Sequence, residues 1–367
     1  MKHANVSIFV PHNGCPHQCS FCSQRSITGQ QSQPTPEDVR RTLDQAVSDL
    51  GERIHESEIA FFGGSFTAID RSYMISLLDT AYQYVKRYDF TGIRLSTRPD
   101  AVDAEVLRLL RDYGVTSIEL GAQSMDDRIL ALNGRGHTSR DVEEASDLIQ
   151  KFGFSLGLQM MTGLYGDTPQ KSYDTALRLC TLHPDTVRIY PTVVLEGTEL
   201  ASLYRQGIYH PPGPEESAEL CAELLELFER HHIRVIRLGL HASPDLERSA
   251  IAGAYHPAFG ELCQSRLFLR RLVRAFREHG IPSGSVTVFV SPRDISRALG
   301  QKKANLEALA AQGWQVRFVQ IASVPLGALV FYDPKLEHNV LISGEKARLS
   351  LDVERGALPP VADKAKP

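Results

Sequence analysis

Cys15, Cys19 and Cys22 fall within one octapeptide, Cys15-Pro16-His17-Gln18-Cys19-Ser20-Phe21-Cys22, spaced C-x3-C-x2-C. Three thiolates on one tight loop can hold three corners of a cubane 4Fe-4S cluster, whose irons are normally held by cysteine sulfur. The fourth iron would then be open to a ligand that is not protein. Two other chemistries remain open at this point. Zinc is held by four donors, most often as paired knuckles, and only His17, inside the loop, could complete the set. A disulfide with one spare thiol is the other. The remaining cysteines, Cys180, Cys221 and Cys263, are isolated in helix-like stretches and read as buried core thiols in a reducing compartment.

The elements that position this loop alternate between two periods. An apolar strand, 6–10, leads into the turn before Cys15. Thr35-Pro36-Glu37-Asp38 is a helix start, with a cap, a proline at the first turn and acids beside it. Strands are expected at 58–62, 93–96, 116–120, 154–160, 186–190 and 234–238. Helices are expected between them at 35–50, 70–88, from 103, 139–152, 169–182 and 214–231. Strands separated by helices of this length argue a parallel α/β sheet with right-handed crossovers. In parallel barrels the chemistry lies at the strands' C-terminal ends. The unusual strings fall there: Gly63-Gly64, Thr97-Arg98-Pro99-Asp100, Gly121-Ala122-Gln123-Ser124, Met160-Met161-Thr162-Gly163 and Tyr190-Pro191-Thr192.

The cysteine spacing, with Phe21 before the last cysteine, resembles the radical S-adenosylmethionine (SAM) superfamily. Ser96-Thr97-Arg98-Pro99-Asp100, Glu119 to Ser124, Asn133 with Arg135-Gly136-His137-Thr138, and Tyr190 to Leu200 resemble the radical-SAM half of the Elongator catalytic subunit. They are similar, more loosely, to oxygen-independent coproporphyrinogen oxidases. The resemblance covers residues 5 to about 240. It implies a partial (β/α)6 TIM-type barrel in which Cys15, Cys19 and Cys22 hold a 4Fe-4S cluster. The open iron would chelate SAM, and reductive cleavage would give a 5'-deoxyadenosyl radical. It implies that Phe21 packs near the adenine and that Gly63 and Gly64 bind the SAM amino group. Ser96 and Arg98 would lie near the methionyl or ribose groups, and Gln123 and Arg135 would face the sugar or carboxylate. Ser65 stands where the family commonly has Glu. The first two cysteines are closer together than in the Elongator subunit. The residues after 240 are too few for that subunit's acetyltransferase domain, so wobble-uridine carboxymethylation is not implied intact.

The segment 241–280 reads as connecting helices, including a long amphipathic one at 259–279. In 281–325 the order is strand 286–290, helix, Gly300-Gln301-Lys302-Lys303, helix, strand 314–319. This resembles a small α+β KH domain, and the resemblance implies that residues 300–303 form the RNA-clamping GxxG loop, with Lys303 in place of its second glycine. From Gln264 to Gln320 ten Lys/Arg face three Asp/Glu, in a chain of net charge −4, an asymmetry that fits nucleic-acid contact. Trp314, the single tryptophan, reads as core. Residues 326–367 read as an extension ending in a loose tail from Gly356.

At 367 residues, 42% apolar and 23% charged, the chain fits two globular domains. It has no signal-like start and no apolar run long enough for a membrane span, so the expected location is cytoplasmic, without membrane. The reading is a radical SAM enzyme acting on RNA, most simply a tRNA nucleoside, with an electron donor such as flavodoxin or ferredoxin. A radical SAM enzyme on a small molecule or porphyrin, and a non-catalytic iron–sulfur RNA-binding redox sensor, are the alternatives. No catalytic side chain is singled out.

Overall fold

The computed structural model describes residues 4–11, 19–23, 32–333 and 338–342, and divides into two compact units, 1–260 and 261–367.

In the first unit seven strands form one parallel sheet in sequential order: β1 (Ala4–Val10), β2 (Ser57–Gly63), β3 (Ile93–Thr97), β4 (Val115–Gln123), β5 (Ser155–Thr162), β6 (Thr186–Pro191) and β8 (Arg234–Leu238). This is the curled half-barrel of the sequence reading, carried by seven strands. The intervening helices start where their caps dictate. Thr35 and Asp38 cap each other reciprocally at Pro36–Leu50, and Thr138 and Asp141 do the same at Ser139–Lys151. Asp70 and Asp103 accept from the amides of Tyr73 and Val106 to open the next two helices.

The strands sort their side chains by parity. Ile59, Phe61, Ile93, Leu95, Ile118, Leu120, Leu156, Leu158, Val187 and Ile189 form the fully buried layer. The alternate residues are largely polar or small: Glu58, Arg94, Ser96, Ser117, Glu119, Gly157, Gln159 and Arg188. A polar inner face on a parallel sheet needs internal pairing, because buried charge is costly unless paired. Between β6 and β8, a short strand β7 (Val193–Leu195) pairs antiparallel with β9 (Ala250–Gly253), a ribbon that periodicity did not reveal in so short a run.

In the second unit the sheet order is β11-β10-β12-β13. β10 (Gly284–Val290) runs parallel to β11 (Trp314–Gln320) and antiparallel to β12 (Leu329–Asp333), which pairs with β13 (His338–Ile342). Helices Ile295–Leu299 and Ala304–Ala311 lie between β10 and β11 in sequence. The sequence reading set 241–280 aside as connecting helices, but the division falls between Gly260 and Glu261. The physical reason is packing: Phe268, Leu272 and Phe276, from helix Phe259–Glu278, join Val288, Trp314 and Phe331 in this unit's core. Part of the expected extension is likewise built into the sheet, as β12 and β13. The tail from 356 lies outside the described residues. Trp314 is core: its Nε1 donates to Ile281 O at 3.2 Å and its ring packs edge-on to Phe276. Cys180, Cys221 and Cys263 are buried, and burial pushes Cys180 up to about 11.

Candidate active site

Cys15 lies outside the described residues. Cys19 and Cys22 sit in a turn closed by Cys22 N–H to Cys19 O at 3.1 Å. Ser20, which follows Cys19, is held from three directions. Ser20 N–H donates to Asn133 O at 3.1 Å, Ser20 Oγ donates to Asn133 Oδ1 at 2.8 Å, and Leu200 N–H donates to Ser20 O at 2.9 Å. Asn133 is completely buried and also donates to the carbonyls of Ile129 and Tyr165. Phe21 packs on the cluster of Val194, Leu200 and Tyr209.

This turn opens on a cavity of about 1090 Å³ at the C-terminal ends of the parallel strands. Cys19, Phe21 and Cys22 line it together with Gly63, Gly64, Ser96, Arg98, Gln123 and Arg135. Every described residue that sequence reasoning singled out for this site therefore lines one cavity. The individual environments divide them.

Gly63 is required by the backbone. Its φ is +119°, and an added Cβ would stand 2.8 Å from Val10 O, to which Gly64 N–H donates at 2.8 Å. Ser65, in the place of the family's Glu, is buried and turned to a structural task. It contacts Thr97 Oγ1 at 2.9 Å and accepts from Arg98 N–H at 3.1 Å, tying the β2 loop to the β3 loop. The Arg98 guanidinium is forked onto Asp100, with Nε 2.8 Å from Oδ1 and the second contact from Nη2 to Oδ2. Burial pushes the Asp100 carboxyl up, but Arg98 outweighs it and holds the group below the usual carboxylate value. Gln123 adopts φ +63° at a bulge in β4 and accepts from Gln159 Nε2 at 3.3 Å.

Arg135 faces the cysteines. Its Nη1 donates to Cys19 Sγ at 3.2 Å and its Nη2 to Gly121 O at 2.9 Å, while its buried Nε has no partner among the described residues. His137 supports it. Its Nε2 lies 3.1 Å from Ala122 O, which can only accept, so Nε2 carries the proton and Nδ1 accepts from Arg135 Nη2 at 3.4 Å. Burial, with the neighbouring Arg135 charge, pushes His137 down to about 4, so the ring is neutral.

Glu119 and Arg188, which line the same cavity, belong to a charge network that sequence reasoning missed. Glu58 takes Arg94 Nε at 2.7 Å, Arg94 Nη1 lies 3.1 Å from Glu119, and Glu119 accepts from Arg188 Nη2 at 2.8 Å, with Arg188 Nε 2.7 Å from its other oxygen as an ion pair without an aligned hydrogen bond. Arg188 also lies over the Phe62 ring, 4.8 Å from its centroid. Gly157 makes the room: a Cβ there would come 2.7 Å from Glu119 Cγ. The signal was present as charged residues at alternate strand positions.

The donor set suits an iron–sulfur cluster and an amino-acid cofactor. Cys19 and Cys22 share a clamped turn, the half-buried Gly63 and Gly64 line the same cavity, and the half-buried Arg135 guanidinium stands against the Cys19 sulfur. Among the described residues no group of three or more His, Cys, Asp or Glu side chains forms a separate metal site.

The fold and this cavity define a radical SAM protein, and comparison with known families agrees. The Radical SAM superfamily model matches residues 9–179 and the Radical_SAM C-terminal domain model matches 184–268. The chain belongs to the radical SAM superfamily, is an enzyme, and uses a 4Fe-4S cluster and SAM as that family does. Among relatives, it is similar to the tRNA uridine(34) acetyltransferase of Dehalococcoides mccartyi, with 27% identity over 75% of this chain and 67% of the relative. It is 30% identical to human Elongator complex protein 3, over 52% of this chain and 38% of that one. The solved structure of Elp3 from Methanocaldococcus infernus shares the fold, with a TM-score of 0.58 and 21% identity, covering 76% of this chain and 63% of that one. The chain thus spans between about a third and two thirds of the length of these relatives. No helix among the described residues is long and apolar enough to cross a membrane.

Proposed function

We propose that this enzyme modifies RNA, most simply a tRNA nucleoside, with Cys15, Cys19 and Cys22 as the cluster ligands. The observation that carries the reading is the convergence of Cys19 and Cys22 with Gly63, Gly64 and the strand-end polar residues on one cavity. When bound, the cluster supplies one electron for cleavage of SAM, which starts radical chemistry on a substrate hydrogen. The protein's own residues bind and orient. Gly63 and Gly64 offer backbone to the SAM amino group. Phe21, beside the Ser20–Asn133 clamp, would pack against the adenine. Ser96 would meet the methionyl or ribose groups, and Gln123 the sugar or carboxylate. Arg98 acts through Asp100, shaping the loop instead of reaching for the cofactor alone. A low-potential donor such as flavodoxin or ferredoxin supplies the electron, and the setting is the cytoplasm.

The tRNA substrate is supported by the tRNA-modifying relatives and by the second unit. There the strand–helix–turn–helix–strand order suits a KH-like domain. Gly300 has φ +74°, and a Cβ would stand 3.0 Å from Asn305 and Ser265. The Nδ2 of buried Asn305 lies 3.0–3.2 Å from the carbonyls of Arg297, Ala298 and Ser265 and shares its two hydrogens among them, pinning the turn. Lys302 and Lys303 take φ +51° and +66°, so Lys303 has the left-handed backbone that a glycine would have there. The turn of Gly300, Gln301, Lys302 and Lys303 thus fits an RNA-backbone clamp with lysine charge added.

The test is anaerobic reconstitution followed by measurement of 5'-deoxyadenosine with and without bulk tRNA. Stimulation by tRNA is the expected result. SAM cleavage indifferent to RNA would favour a small-molecule substrate, and cluster-dependent RNA affinity without deoxyadenosine would favour a sensor.

A further inference from the structure

We infer that Arg135 is a positioning residue for the cluster: its guanidinium donates to the Cys19 sulfur and thereby raises the reduction potential. The inference rests on the assignment of Cys15, Cys19 and Cys22 as cluster ligands.

The resemblance to known radical SAM sequences implied a different role for Arg135, facing the sugar or carboxylate of SAM. The structure gives its fork other work. Nη1 is 3.2 Å from Cys19 Sγ. Nη2 is 2.9 Å from Gly121 O and 3.4 Å from His137 Nδ1. His137 is in turn fixed on Ala122 O. The guanidinium plane is therefore set by the backbone of β4, and one nitrogen is left to meet the sulfur.

The backbone is equally determined. Helix Asp127–Leu132 ends in paired bonds, Arg135 N–H to Leu130 O at 2.9 Å and Gly134 N–H to Ala131 O at 3.1 Å, with Gly134 at φ +64°. This is a Schellman termination, which satisfies the last carbonyls and leaves little freedom in the turn. Asn133 of the same turn grips Ser20 through backbone and side chain. One rigid helix end thus holds two consecutive residues of the cysteine loop, Cys19 by charge and Ser20 by hydrogen bonds.

Hydrogen bonds to cluster sulfurs and local charge set the potential of such centres. Reduction adds one electron, taken from the low-potential donor, and makes the cluster more negative. A fixed guanidinium beside a ligand sulfur stabilises that reduced form more than the oxidised one.

The test uses the full chain, reconstituted anaerobically as wild type, Arg135→Gln, Arg135→Lys and His137→Phe. Iron and acid-labile sulfide are counted, and the reduction equilibrium is titrated by EPR without SAM. Arg135→Gln is expected to be about tenfold harder to reduce, which for one electron is about 59 mV more negative. Arg135→Lys should recover part of this, and His137→Phe should show a smaller shift of the same sign. A fully loaded Arg135→Gln with the wild-type equilibrium overturns the inference, and a loss of SAM affinity alone returns Arg135 to the cofactor. Loss of loading in Arg135→Gln with an unshifted His137→Phe also overturns it, by making the residue structural. Failure of the wild type to take up iron would instead defeat the ligand assignment.

Discussion

Replacing Glu119 with Gln would test how the barrel's polar inner face is held together. Glu58, Arg94, Glu119 and Arg188 form a balanced chain of two carboxylates and two guanidinium groups, with Glu58, Arg94 and Glu119 all less than 10% exposed. The substitution keeps the shape and one acceptor but leaves the chain with an excess positive charge. Arg94 retains Glu58, so the loss falls on Arg188, which is ion-paired with Glu119. Breaking a buried pair from one side costs about 3–5 kcal/mol, and the retained amide oxygen places this case near about 3 kcal/mol. For a unit of this size that is a fall of roughly 6–12 °C in Tm. Calorimetry and far-UV CD of the apo protein would read it. Adding Arg188→Met to Glu119→Gln removes the stranded charge and should restore at least half of the loss, a coupling of about 1.5 kcal/mol or more. A single variant within about 0.5 kcal/mol of wild type, or a double variant no better than the single, would refute the reasoning.

Other outcomes follow from the same geometry. Gly63→Ala places a methyl 2.8 Å from Val10 O at a left-handed φ, and should weaken SAM binding in equilibrium dialysis by about tenfold or more while cluster loading is retained. His137, held down to about 4 in the folded chain against about 6.5 unfolded, binds fewer protons folded than unfolded in that interval. Its contribution is complete above pH 6.5 and is lost as pH falls toward 4, by up to about 3 kcal/mol, so denaturant midpoints should fall across that window and His137→Asn should flatten the slope. Lys302→Gln and Lys303→Gln should each reduce the salt slope of tRNA filter binding by about 0.7, whereas Lys303→Gly should lose the same charge and relieve about 1 kcal/mol of backbone strain.

The cysteine loop, the alternation of strands and helices and the Gly63–Gly64 turn were readable because each rests on local spacing, caps and periodicity. The long helix from Phe259 was readable for the same reason, but its membership of the second core was not, since that depends on partners such as Trp314 and Phe331 far along the chain. At Arg98 the family role suggested a cofactor contact, while Asp100, two residues on, takes the fork. Ser65 read as a substitution at a binding position and is instead a tie between two strand-end loops. The Glu58–Arg94–Glu119–Arg188 chain was the largest omission. Glu119 read only as the start of a motif and the other three were not singled out, and only the register of neighbouring strands shows that all face one interior.

The account stands most directly on EPR of the reduced, anaerobically reconstituted protein before and after addition of SAM, with iron and sulfide counted on the same sample. It predicts about four irons per chain, a reduced-cluster signal whose shape changes when SAM binds, and loss of both in Cys19→Ala. Zinc held through four protein donors, or an iron centre whose spectrum ignores SAM, would contradict it.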